Sequence, residues 1–242
     1  MRVEFVGHSC YLIELDRHVL VFDYFHGRLP DFDRGKCVMV FVSHSHPDHY
    51  SESIFQLFSD CPDVHYIISS DVKPKLAPLL EAGRLKGKVK RESVVFVSPD
   101  ERLELCDTKI ETLSSTDMGV AFVTECEGKT VFHAGDLNMW LWSGNTPEED
   151  TSMRQRFQAE IAKLAGRRID VAFIPVDPRL RERCYESLDW FMRHVDTGKV
   201  YPMHFWGGYR AIGKLCELPC TEPYRDCIVL PQRPVMIARR KL

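Results

Sequence analysis

The sequence predicts an α/β chain in which two β-sheets pack face to face and helices cover both outer faces. Three observations carry that reading. Short runs rich in Val, Ile, Leu and Phe recur from the first residues onward, as half-buried and buried strands do. A few longer stretches place apolar residues at helical spacing between start and stop signals. The order is strands, helices, strands, helices in two comparable halves, which a helix–sheet–sheet–helix layering satisfies.

"RVEFVG", "CYLIEL" and "HVLVFD" open the chain as three strands in quick succession, and "CVMVFVS" is short enough for a buried strand. "SESIFQLFSD" sets Ile54, Leu57 and Phe58 at helical spacing, and "VHYIIS" returns to a strand. "DVKPKLAPLLEAG" is expected to be helical: Pro74 suits a first turn, Pro78 predicts an irregular one, and Gly83 is the stop. The second half begins near residue 93. "SVVFVS", "RLEL", "TKIETLS" and "VAFVTECEGKTVFHAG" read as strands, with "ECEGKT" as a hairpin turn. In "TPEEDTSMRQRFQAEIAKLAG", Thr146 is the N-cap, Pro147 the first helical residue and Glu149 the partner of a capping box. Met153, Phe157, Ile161 and Leu164 make its apolar stripe, read as core, and Gly166 ends it. "DVAFIPV" is a buried strand, "ESLDWFMRHV" a helix and "KVYPMH" a short strand.

Composition bounds the function. At 242 residues, with 44% hydrophobic and 28% charged residues, the chain is long enough to bury a substantial core. A net charge of −3 argues against a general nucleic-acid coat. The basic stretch "GRLKGKVKRES" at 83–93 is read as a solvated loop, and "ARRKL" as a soluble end. No apolar run reaches a membrane span and "MRVEFVGHSC" carries no signal-peptide core, so a cytoplasmic protein without membrane contact is expected. The nine Cys are odd in number and scattered. Cys10, Cys106 and Cys126 sit in strand-like runs and are read as small buried hydrophobes, and Cys216, Cys220 and Cys227 lack a zinc spacing.

The chemistry is concentrated in "VMVFVSHSHPDHY", residues 38–50, where a buried strand ends and His44, His46, Asp48 and His49 fall within six positions. Neutral imidazole and carboxylate are ligands for zinc, iron and manganese. Residues two apart on a strand point the same way, and a chain curling past the strand end brings all four side chains together. An H-x-H-x-D-H element arises by chance on the order of once in a thousand chains of this composition. Further candidates follow later strands: His133 and Asp136 in "VFHAGD", His204 in "YPMHFW" and Asp117 in "LSSTDMG".

"SHSHPDH", "FHAGD" and "PMHFW", in that order, resemble the metallo-β-lactamase-fold superfamily of metal-dependent hydrolases. "EFVGHSCYLIELDRHVLVFD" is similar to the opening of the branch that includes L-ascorbate-6-phosphate lactonases. The resemblance covers nearly the whole chain, so residues 1–242 are expected to form one domain. It implies a four-layer αβ/βα sandwich of two mixed sheets with two divalent metals at one end. By resemblance, His44 and His46 hold the first metal, Asp48, His49 and His204 the second, and Asp136 bridges them. The family supplies another His to the first metal where this chain has Asp117, a departure that leaves an anionic ligand, or a weak or empty first site. Asp23, ending "VLVFD", matches an aspartate that orients a ligand imidazole, the competing reading being a turn cap. His8 in "GHSC" reaches the rim of the site or bonds within its own loop. His133 is expected to face the core, and His18, His26, His65 and His194 fit no ligand pattern. Trp140, Trp142, Trp206 and Tyr209 follow ligand-bearing segments, as core or as pocket wall.

Two such metals, zinc or manganese or iron, would lower the pKa of a shared water toward neutrality and polarise a carbonyl or phosphoryl oxygen. Asp48 would orient the resulting hydroxide or take its proton, as the catalytic carboxylate. The expected activity is hydrolysis of a small-molecule ester, lactone or phosphoester. The alternatives are a nuclease or RNA-processing phosphodiesterase, with nucleic acid the less favoured partner, and a non-hydrolytic metal-binding member. The sequence is compatible with a homo-oligomer and does not specify one.

Overall fold

A computed structural model describes residues 1–87 and 89–232; "ARRKL" therefore lies outside the described residues. Among the described residues, twelve strands form two six-stranded sheets. The first contains β1 (Arg2–Gly7), β2 (Cys10–Glu14), β3 (His18–Phe22), β4 (Cys37–Val42), β5 (Val64–Ser69) and β6 (Val94–Val97), side by side in chain order. The second contains β7 (Arg102–Leu105), β8 (Thr108–Ser114), β9 (Val120–Cys126), β10 (Lys129–His133), β11 (Arg168–Pro175) and β12 (Asp196–Met203). Both are mixed. β1 to β3 are antiparallel and β3 to β6 parallel. β7 to β10 are antiparallel and β10 to β12 parallel.

The period-2 alternation of side chains assigns the layers. From β3 and β4, Leu20, Phe22, Met39 and Phe41 point between the sheets, while Val19, Val21, Val38 and Val40 point outward. The outward set packs on Ile54 and Phe55 of α1 (Ile54–Leu57) and on Leu76 of α2 (Lys73–Glu81). In the second sheet Phe122 meets Phe41 across the interior, with ring centroids 5.2 Å apart. Phe132 points the other way and stacks at 5.2 Å on Phe191 of α4 (Glu186–His194), beside Phe157 and Ile161 of α3 (Pro147–Ala162). The result is the four-layer αβ/βα sandwich.

The elements follow the sequence closely, with informative differences. Thr146 and Glu149 make the capping box, and Phe157 and Ile161 are buried as the stripe requires. Pro78 lies inside α2 without breaking it. α1 is a single turn, shorter than its apolar spacing suggests. β12 begins at Asp196, ahead of "KVYPMH", because Arg168 to Pro175 pair with it over its whole length. Cys106 is not in a strand: with Asp107 it forms the two-residue turn between β7 and β8. Both have positive φ, 49° and 56°, the geometry that matches hairpin twist. The short helical segments from α5 (Tyr209–Gly213) to Cys227 had no clear sequence signal.

Candidate metal centre

Strand direction gathers the site. β1, β3 and β4 run one way in their sheet, and β8, β10, β11 and β12 share a direction in theirs. His8, Asp23, the segment 43–49, Asp117, Asp136, Asp177 and His204 each follow the C-terminal end of one of these strands. Loops leaving the same end of both sheets therefore converge. Two glycines make the approach close enough. A Cβ on Gly119 would lie 2.0 Å from the Ser43 carbonyl oxygen, and one on Gly135 would lie 2.7 Å from the Ser43 Cβ; both glycines have positive φ.

The candidate ligands form two groups, each with donor atoms within 4.8 Å of one another: His44, His46, Asp117 and Asp136, and His8, Asp48, His49 and His204. Asp136 lies between them. Its Oδ2 is 3.5 Å from His44 Nε2, and its Oδ1 is 3.2 Å from His49 Nε2 and 3.4 Å from His204 Nε2. His46 Nδ1 lies 3.0 Å from His44 Nε2 and 3.6 Å from Asp117 Oδ2. Asp48 Oδ2 is 3.6 Å from His204 Nε2 and 3.1 Å from His8 Nε2. Tetrahedral ligation at ~2.0–2.2 Å sets neighbouring donors about 3.3–3.6 Å apart, so most of these separations suit a cation. His49 Nε2 and Asp136 Oδ1 are also buried without a hydrogen-bond partner, a costly arrangement unless something else satisfies them.

The imidazole tautomers are set from behind. Asp23 is fully buried, and its Oδ2 accepts from His49 Nδ1 at 2.7 Å and from the Ser43 hydroxyl at 2.6 Å. With its proton given to Asp23, Ser43 Oγ accepts from His44 Nδ1 at 3.0 Å. One carboxylate thus leaves a lone pair on Nε2 of two imidazoles, directly and through Ser43. Asp177 does the same for His204, accepting from Nδ1 at 3.0 Å. Ser43 and Asp177 escaped the sequence reading. Asp177 had a signal, since it ends the β11 run as Asp23 ends "VLVFD". His133 is fully buried, donates from Nε2 to the Ser9 carbonyl at 2.9 Å and stacks on Phe22.

Electrostatics give the same picture. Burial would lower the pKa of His49, but Asp136 and Asp23 outweigh it and hold the imidazole well above its ordinary range. Burial would raise Asp136, but His49 and His204 keep it far below the usual carboxylate range. His44, buried and repelled by His49, falls to about 4. Asp117 is raised by burial and by the charge on Asp136. Three carboxylates and four imidazoles packed this closely form a donor set for hard-to-borderline divalent cations.

Beside the donors opens a cavity of about 900 Å³ walled by Trp140, Trp142 and Trp206 and by Arg156 and Arg179. The Arg179 guanidinium sits 5.4 Å from the Trp142 ring centroid and 5.0 Å from that of Trp206. Tyr209 instead packs on Phe205, 5.1 Å between centroids.

A family model described as a β-lactamase superfamily domain matches residues 2–149. A UPF0173 metal-dependent hydrolase of Methanocorpusculum labreanum is 25% identical over 206 residues, 84% of this chain and 83% of its own. Among solved structures, a putative metal-dependent hydrolase of Parabacteroides distasonis superposes with a TM-score of 0.65 at 18% identity, covering 96% of this chain and 93% of that one. The short form of human tRNase Z superposes with a TM-score of 0.51 at 12% identity, covering 85% and 93%. At these identities the two structures establish the fold alone. With the family model spanning more than half of the sequence, the chain belongs to the β-lactamase superfamily domain family.

Proposed function

We propose that the protein is a metal-dependent hydrolase of a small-molecule ester, lactone or phosphoester, working with two divalent cations. The observation that carries this is the pair of donor groups sharing Asp136 and opening onto a cavity of about 900 Å³. Pockets of roughly 300–1,000 Å³ suit small ligands. His44, His46 and Asp117 would hold one cation, Asp48, His49 and His204 the other, and Asp136 both. The cations would supply Lewis-acid activation of substrate and water. Asp48 would orient the attacking water and receive its proton. His8, 3.1 Å away, fixes that carboxylate and, outweighing burial, helps keep it ionised. The tryptophans would exclude water from the bound substrate, and Arg179, held between two of them, would pair with a negative group on it.

A nuclease reading needs a basic surface beside the site. The stretch 83–93 contributes no residue to the cavity wall among the described residues, and Glu148 and Glu149 line it. The test is a panel of lactone, carboxylic-ester, phosphomonoester and phosphodiester substrates, assayed with manganese, zinc or iron restored to metal-stripped protein, alongside RNA binding at physiological salt. Turnover of a small ester, lactone or phosphoester with weak, non-saturating RNA binding supports the proposal. Tight, saturable binding and cleavage of one RNA class overturns it.

A further inference from the structure

The opposite end of the sandwich carries a third donor group. Cys37, Asp63, His65 and Cys106 place one ligand atom each within 4.8 Å of one another. Topology explains why the sequence conceals it. Cys37 is the first residue of β4, His65 the second of β5, and Asp63 immediately precedes that strand; Val38 N–H donates to the Asp63 carbonyl at 3.0 Å. These three belong to the first sheet. Cys106 comes from the other sheet, in the turn between β7 and β8. All four lie where the site-directed strands begin, not where they end.

The contacts within the group are those of ligands. His65 Nε2 faces Asp63 Oδ1 at 2.8 Å and Cys106 Sγ at 3.1 Å. A single ring N–H could reach both neighbours only as a shared, weakened bond, whereas a cation among the three can satisfy all of them. The Cys37 thiol completes the group, its sulfur within 4.8 Å of the donor atoms of Asp63, His65 and Cys106. Nδ1 of His65 is buried and finds no hydrogen-bond partner, so all the polar contacts of this imidazole are to the group itself. The hairpin turn that carries Cys106 across to the first sheet is fixed by a bond from His18 Nε2 to the Cys106 carbonyl at 2.8 Å.

We propose that Cys37, His65 and Cys106, with Asp63 as the fourth donor, form a structural site for a zinc-type divalent cation that clips the two sheets together at the end remote from the cavity. Two sulfurs, one nitrogen and one oxygen make a four-donor set of the softness zinc takes. A disulfide between the two cysteines would leave the imidazole and the carboxylate without a role. The site is independent of the hydrolase reading, since the groups at the other end contain no sulfur.

That difference supplies the test. Metal-stripped, reduced full-length protein is titrated with cobalt(II), and the near-ultraviolet thiolate-to-cobalt charge-transfer band is followed. The proposal expects a band whose amplitude at saturation corresponds to one two-thiolate cobalt per chain, that falls by half or more in Cys37→Ser and in Cys106→Ser and is absent from the double variant, while the weaker visible bands from the imidazole–carboxylate groups persist. His65→Gln should keep the thiolate band and shift it. Absence of the band from wild-type protein at saturating cobalt overturns the proposal whether or not the variants fold. So does a band that is unchanged in either single variant or that survives in the Cys37→Ser/Cys106→Ser double variant, or a native Cys37–Cys106 disulfide found by non-reducing peptide mapping.

Discussion

Asp177→Asn isolates a residue that touches no expected substrate and yet governs a proposed metal ligand. Asp177 is fully buried. Its Oδ2 accepts from His204 Nδ1 at 3.0 Å, and its Oδ1 accepts from the Arg179 backbone N–H at 2.9 Å. The Arg179 side chain donates to both oxygens, from Nε at 3.0 and 2.9 Å and from Nη2 at 2.5 Å. Burial alone would raise the carboxyl, but the bonds from His204 and Arg179 hold it at about 2. It is therefore ionised at any working pH, accepts only, and obliges His204 to present its Nε2 lone pair toward Asp136 and Asp48. An Asn of the same shape has one acceptor and one donor end. With its oxygen in the place of Oδ1, its NH2 meets both His204 Nδ1 and Arg179 Nη2, which reverses the tautomer and loses the guanidinium bond. Turned the other way, its oxygen keeps His204 and Arg179 Nη2, but its NH2 meets the Arg179 backbone N–H and forfeits that bond and one from Nε, the latter to a charged group and worth about 1.5–3 kcal/mol. Losing such a supporting partner typically costs about 10–100-fold in metal affinity, or about 1.4–2.7 kcal/mol. The assay is manganese binding read from the electron paramagnetic resonance signal of the free ion, because thiolates take manganese poorly and the distant cysteine group stays silent. Asp196→Asn, which removes an exposed partner of Arg168, is the control. Manganese affinity of Asp177→Asn equal to that of wild type, with the fold intact by circular dichroism, would refute the reasoning.

Three further outcomes are expected. His46→Ala and Asp136→Ala each abolish hydrolysis of whichever panel substrate wild type turns over, with circular dichroism unchanged, because the core lies in the sandwich; wild-type turnover by either sinks the ligand assignment. Asp117→His removes one negative charge from the first group and should move metal preference from manganese or iron toward zinc, read as metal content and reconstituted activity side by side; unchanged stoichiometry and preference would mean Asp117 is no ligand. Gly119→Ala places a Cβ 2.0 Å from the Ser43 carbonyl at φ +68° and should cost about 2–4 kcal/mol in urea unfolding, with weaker metal binding as His44 shifts; a midpoint equal to wild type would contradict the close approach.

How much of this was legible in the sequence depended on distance along the chain. Strands announced themselves because burial on both faces demands continuous apolar runs, and α3 because its cap residues are local. His44 to His49 were visible as one short cluster, and Asp117, Asp136 and His204 as singletons after strand-like runs. What stayed hidden needs three dimensions. Ser43 matters only because Asp23, twenty residues earlier, takes its proton. Asp63, His65 and Cys106 become neighbours of Cys37 only when β5 pairs with β4 and the second sheet closes over the first. The start of β12 shifted because pairing with β11, not local pattern, extended it.

The central claim is that Asp136 joins two cation sites at the C-terminal ends of the strands. Anomalous diffraction from crystals grown with manganese tests it most directly. The account predicts two peaks about 3.5–4 Å apart flanking Asp136, one among His44, His46 and Asp117 and the other among Asp48, His49 and His204. A map with no peak beside Asp136, or with a single peak that leaves Asp117 or His204 without a metal, would contradict it.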